Sequence, residues 1–159
     1  MTIDLNRSNS TENDQVRRNT PTSLNQRIDQ AIATRIHDDA TKPEAELSQR
    51  ITQLDREWST ERVLELNAST LAFIGLILGI TVHPNWFWLP GLVLPFLAEH
   101  AIQGWCPPLP IIRRLGVRTR KEIDREKFAL KVLRGDFATV GTDTDANTRA
   151  AAALQAVER

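Results

Sequence analysis

The chain has 159 residues, room for one domain of ordinary size. Twenty Lys and Arg balance twenty Asp and Glu, and this zero net charge argues against a chain that binds nucleic acid as a whole. A single Cys excludes an internal disulfide and a multi-Cys zinc site, and three His residues far apart in sequence leave little for a metal centre.

These averages hide a strong segregation, because residues 66–98 hold no Asp, Glu, Lys or Arg over 33 positions. In chain order, residues 1–22 are rich in Asn, Ser, Thr and Arg and read as a disordered tail, too poor in apolar groups to order itself. The first 30 residues contain no apolar core segment, so no secretory signal peptide is expected.

Residues 23–62 read as a cytoplasmic helical hairpin. Ser23-x-x-Gln26 fits a capping box, and Leu24, Ile28, Ala31, Ile32 and Ile36 then recur on one helical face. His37-Asp38-Asp39 breaks that pattern. A second helix is expected from Pro43, with Glu44 and Glu46 at the positive end of its dipole. Leu47, Ile51, Leu54 and Trp58 follow at 4-3-4 spacing, a short coiled-coil-like seam. The two stripes are free to face each other or to pair between two chains.

Residues 63–106 predict a two-helix transmembrane domain. The uncharged stretch contains 21 apolar residues, three Gly, three Pro and six polar ones. As one helix it would be roughly 50 Å long at about 1.5 Å per residue, too long for a hydrocarbon core of about 30 Å. Val82-His83-Pro84-Asn85-Trp86 is a turn signal, which leaves spans at 63–82 and 86–105. Their polar members, Glu65, Asn67, Glu99, His100 and Gln103, all fall toward one membrane face, where ionisable groups are cheaper than at the centre. The turn carries no Lys or Arg, whereas Arg50, Arg56 and Arg62 precede the first span. Arg113, Arg114, Arg118, Arg120 and Lys121 follow the second, so both termini are expected in the cytoplasm. Trp86, Trp88 and Trp105 sit where aromatic belts form. A re-entrant loop that enters and leaves on the cytoplasmic face is a topological variant, and a soluble reading with two buried core helices leaves too polar a chain to cover them.

Residues 107–137 carry nine Lys and Arg against four Asp and Glu, a net of +5 (9 − 4). Thr119-x-x-Glu122 opens a helix to about Leu133, with Gly135 as its stop. With Ile123, Leu130 and Leu133 on one face, this basic juxtamembrane helix is expected to lie on anionic headgroups through Arg113, Arg114, Arg118, Arg120 and Lys121. Residues 138–159 read as a flexible tail ending in a weak Ala-rich helix around 149–157.

Few residues offer chemistry. Ala68, Ala72, Gly75 and Gly79 form a small-residue ridge suited to close helix approach, either within the hairpin or between two copies. Pro90 and Pro95 are expected to shape the second span. Glu99 and His100 are the acid and imidazole nearest the membrane face, and Cys106 is the sole thiol. These three are the candidate functional residues. No Ser/His/Asp set, phosphate loop or metal spacing appears, so no catalytic residue, cofactor or metal is expected.

Residues 61–115 resemble the YgaP-like transmembrane domain family, a small inner-membrane helical hairpin found alone or behind a rhodanese domain. The likeness rests on Glu61-Arg62, Asn67-Ala68, Leu76-Ile77-Leu78-Gly79 with its polar turn, and Gly104-Trp105-Cys106-Pro107 with the basic stretch after it. It implies a two-span hairpin in the bacterial inner (cytoplasmic) membrane that dimerises through its spans. It implies no activity, since the rhodanese domain with its Cys-centred loop is absent, and sulfur or thiol biology follows by association alone. The resulting expectation is an all-α integral membrane protein, not an enzyme, flanked by cytoplasmic amphipathic helices. Its partners are the lipid bilayer, a second copy and a cytoplasmic protein, without nucleic acid. The alternative is an oligomeric small-solute or thiol-linked transport element using Cys106.

Overall fold

A computed structural model describes residues 14–138, 140–141 and 145–158. Every regular element among them is helical: α1 (Gln15–Arg18), α2 (Thr22–Asp39), α3 (Glu44–Arg56), α4 (Thr60–Thr81), a 3-10 turn (Pro84–Phe87), α5 (Trp88–Gln103), α6 (Leu109–Arg114), α7 (Arg120–Arg134) and α8 (Ala146–Glu158). They divide between two compact units. One contains the described residues up to Gln30 together with Trp58–Glu122, the other Ala31–Glu57 with the described residues from Ile123 onward.

The first unit is built on the hairpin of α4 and α5. The Ser59 hydroxyl accepts the Arg62 N–H and caps α4. Near the far end, His83 Nδ1 accepts the Asn85 N–H at 3.2 Å, which starts the 3-10 turn. Small residues bring the helices together. A Cβ on Gly75 would lie 2.5 Å from Pro90 Cδ, and one on Gly79 would lie 2.7 Å from the Phe87 ring. The glycine ridge is thus occupied by the chain's own second arm, and a second copy would need another surface. Among the described residues, one segment, Glu44–Thr81, contains a window long and apolar enough to cross a membrane, by length and composition. The expectation of two equal 20-residue spans is not met, because α5 has 16 residues and the turn before it is 3-10. Pro95 lies inside α5, whereas Pro90 falls in its first turn.

The end of α5 rests on α1. Gly104 closes α5 at φ 73°, and a Cβ there would overlap Gln15. Asn19 Nδ2 donates to the Gln103 carbonyl at 2.8 Å. Residues 14–22 are therefore not tail: Asp14, Val16, Arg17 and Thr20 are buried, and Val16 joins Leu64, Cys106, Leu109 and Ile112 in one apolar cluster. The rest of the expected tail, residues 1–13, lies outside the described residues.

The second unit gathers α3, α7 from Ile123 onward, the C-terminal part of α2 and α8. Leu47, Ile51 and Leu54 bury their stripe against Ile123 and Leu130 of α7. The expected hairpin of residues 23–62 left the α3 stripe to face α2 or a second chain, and here it meets α7. Two of the three residues on the expected apolar face of α7, Ile123 and Leu130, thus pack on α3, and Leu133 stays exposed. Trp58 leaves the seam as well, since α3 ends at Arg56 and the exposed Trp58 ring lies 4.4 Å beneath the Arg62 guanidinium. Glu126, fully buried, accepts from Arg35 at 3.0 Å and Arg50 at 2.8 Å. Arg134 ties α7 to α3 through the Ser48 hydroxyl, 2.8 Å away. Lys131 donates to the Val157 carbonyl of α8, whose Ala156 is buried, so the C-terminal segment is a packed helix from Ala146.

Candidate functional site

Two features of the first unit stand out, an apolar cavity and a buried ionic network. The cavity, about 280 Å³, opens between the start of α4 and the end of α5. Leu64, Asn67, Ala68 and Leu71 of α4 form one wall, and Leu92, Val93, Phe96, Leu97 and His100 of α5 the other. Cys106, Pro107 and Pro108 close the base. These residues converge for local reasons. Ala68 is too small to fill the space between the helices, and Gly104 turns the chain so that Cys106 folds back under α5.

His100 and Cys106, two of the three candidate functional residues, line this one space. Glu99, one helical step from His100, is half-buried and does not line it. The His100 side chain is 9% exposed, and its Nδ1 has no hydrogen-bond partner. A buried ring nitrogen without a partner is uncommon, because its desolvation is uncompensated. Cys106 is 4% exposed. Burial pushes its thiol above the ordinary value, the Leu109 backbone N–H draws it back, and the Glu99 charge raises it further. This environment suits an apolar guest and disfavours a thiolate nucleophile. Among the described residues, no three His, Cys, Asp or Glu side chains gather as a metal-ligating cluster.

The ionic network lies at the start of α7. Arg113 Nη1 donates to Glu122 Oε2 at 2.7 Å and Nη2 to Glu122 Oε1 at 2.9 Å. The same guanidinium reaches Asn25 Oδ1 at 3.1 Å, the Thr20 hydroxyl at 3.2 Å and the Val117 carbonyl at 3.0 Å. Arg17 donates to Glu122 and pairs with Asp29 at 2.8 Å. The Thr119 capping box closes in both directions: its N–H donates to Glu122 Oε2 at 2.8 Å, and its hydroxyl accepts the Glu122 N–H at 3.2 Å. That hydroxyl also donates to Asp14 Oδ2 at 2.7 Å. Burial alone would raise the Glu122 carboxyl, but the hydrogen bonds and charge of Arg113 and the Thr119 N–H hold it below its usual range. Burial likewise opposes the charge on Arg17, and Asp29 with Glu122 more than restores it.

This arrangement corrects the surface-binding assignment of two residues. Arg113 is 1% exposed and points into the network, and Arg118 is buried. Arg114, Arg120 and Lys121 remain exposed, and the Arg120 N–H bonds Glu61 Oε2 at 3.1 Å. Of the small-residue ridge, Gly75 and Gly79 set the helix approach, Ala68 lines the cavity, and Ala72 is half-buried. No motif or spacing in the sequence marks Arg17 or Asp14 as network members. Only Glu122 left a signal, as the second half of the capping box.

No family model, no curated protein and no solved structure matches this chain.

Proposed function

We propose that the chain is a non-enzymatic membrane module. In it, α4 and the arm formed by Pro84–Phe87 with α5 are inserted in a bilayer. The two termini and the unit of α3, α7 and α8 lie on the cytoplasmic side, where they meet a protein partner. The observation that carries this reading is the reversed placement of side chains on the hairpin. Its Gly75 and Gly79 face inward, while Phe73, Ile80, Trp88, Leu92 and Leu94 face out, Trp88 at 80% exposure and Ile80 at 69%. A soluble protein places large apolar groups inside and rarely exposes so continuous a patch. In lipid the inward face favours small residues, because close backbone approach rather than water exclusion holds the helices. Only 17% of the apolar window ending in α4 is buried, far less than in the core helix of a soluble protein.

Length is compatible with this. The 16 residues of α5 rise about 24 Å, and the four-residue 3-10 turn adds about 8 Å, close to a hydrocarbon thickness of about 30 Å. The turn lacks Lys and Arg, and positive residues flank the other end, which supports termini inside. Resemblance to YgaP-like hairpins belongs to the same reading, with a bacterial inner membrane as the location. A homodimer would use the outer apolar belt, since the glycine face is occupied.

Single-cysteine labelling tests the topology. In a Cys106→Ser background, Asn85→Cys at the turn should react with a membrane-impermeant maleimide on intact cells. Gln49→Cys on α3 should react only after permeabilisation. Protection of both positions in intact cells would overturn the spanning arrangement.

A further inference from the structure

The cavity between α4 and α5 has a graded lining. At its base lie His100, Asn67 and Cys106; toward the turn it is walled by Leu71, Leu92 and Val93. From His100 to Leu92 the axis of α5 rises about 12 Å. Leu71 and Leu92, both lining residues, are themselves exposed, so the space opens onto the outer apolar face of the hairpin. Its volume of about 280 Å³ compares with roughly 150 Å³ for an apolar cavity that already holds a benzene-sized guest. One unpartnered polar atom of the lining, His100 Nδ1, lies at its base.

The geometry points to a lipid site: the cavity holds one acyl chain of a phospholipid from the cytoplasmic leaflet, methyl end toward Leu71 and Leu92, ester end toward His100. This inference rests on the membrane reading above and deepens it. Three features select the occupant. The opening is continuous with the lipid-facing surface, so a chain enters sideways without crossing water. The polar end of the cavity lies where the hairpin meets the headgroup region, matching the polarity order of a phospholipid. An ester carbonyl accepts a hydrogen bond, which an imidazole N–H can donate once its tautomer places the proton on Nδ1. The exposed Arg114, on the helix that follows Pro108, adds a cation suited to the headgroup phosphate.

The test is photocrosslinking of the full chain in vesicles that contain a phosphatidylglycerol with a diazirine on one acyl chain, followed by mapping of the modified residues. Crosslinks at Phe96, Leu97 or Cys106, in addition to the outer residues Phe73, Ile80 and Leu94, are the expected result. Ala68→Phe should fill the space and cut the cavity crosslinks at least fivefold while leaving the outer ones unchanged. Outer crosslinks without cavity crosslinks in the unaltered chain would overturn the lipid site and leave the membrane reading intact. Absence of both would overturn the membrane reading itself. Cavity crosslinks from a free diazirine fatty acid, with none from the phospholipid, would refute the phospholipid as occupant.

Discussion

Arg113 and Glu122 form a bidentate ion pair, 2.7 and 2.9 Å, with the two side chains 1% and 2% exposed. The pair joins the short helix after the hairpin to the first turn of α7, and Arg17 brings α1 to the same carboxylate. A buried charge with its partner removed is strongly destabilising, whereas the intact pair adds little net stability over apolar packing. The pair therefore fixes which segments meet.

Arg113→Ala is expected to lower stability by about 3–5 kcal/mol, because Glu122 stays buried with half its hydrogen bonds gone. Arg113→Lys should recover part of the loss, since it restores charge without the planar fork. Thermal unfolding of the purified protein in detergent, followed by far-ultraviolet circular dichroism, measures both.

Acid should act through Glu122. Its carboxyl is held below the ordinary value of 4.5, so in the folded state it binds its proton less readily than in the unfolded chain. Its contribution is therefore fully present above about pH 4.5 and is lost as pH falls through the lower folded value. Glu122→Gln should weaken the protein at pH 7 and flatten this part of the acid slope. Urea midpoints taken from pH 7 downward should converge for the two proteins, and a parallel pair of curves would contradict the assignment.

Gly79 and Gly91 should respond in opposite ways. A methyl group on Gly79 meets the Phe87 ring, so Gly79→Ala should cost about 1–3 kcal/mol through forced separation of the arms. Gly91 has no atom within 4 Å of its would-be Cβ, and it lies within α5. Gly91→Ala should leave stability equal or raise it by up to about 1 kcal/mol through helix propensity. Parallel melting curves in detergent decide the matter.

Cys106 should be a slow nucleophile. Its raised thiol pKa leaves less thiolate at neutral pH, and burial restricts access. Iodoacetamide should alkylate the folded protein at least tenfold more slowly than the protein in denaturant, with its half-maximal rate displaced to higher pH. Equal rates in both states would revive the thiol-based alternative.

The hairpin and the α7 capping box were legible because each is local. An uncharged run, a Pro-Asn turn and a Thr-x-x-Glu spacing are read within a few residues, and α3 (Glu44–Arg56) begins right after Pro43, as its first-turn signals imply. Gly135 takes φ 86° just past α7, as a helix stop should. The network was not legible, because Asp14 and Thr119 are 105 residues apart and no period links them. Composition placed Arg17 in a tail, since four buried residues scarcely change an average. Charge counting gave Arg113 to the membrane surface, because it registers a cation but not the carboxylate that turns it inward. The stripe of α3 was correct as a stripe, yet amphipathic periodicity names a face and not its partner.

Extraction of isolated membranes with alkaline carbonate shows whether the α4–α5 hairpin is embedded in a bilayer. An embedded hairpin keeps the full chain in the pellet and floats it with lipid on a density gradient. Release into the supernatant, with no flotation, would contradict it and make the exposed apolar belt a protein interface.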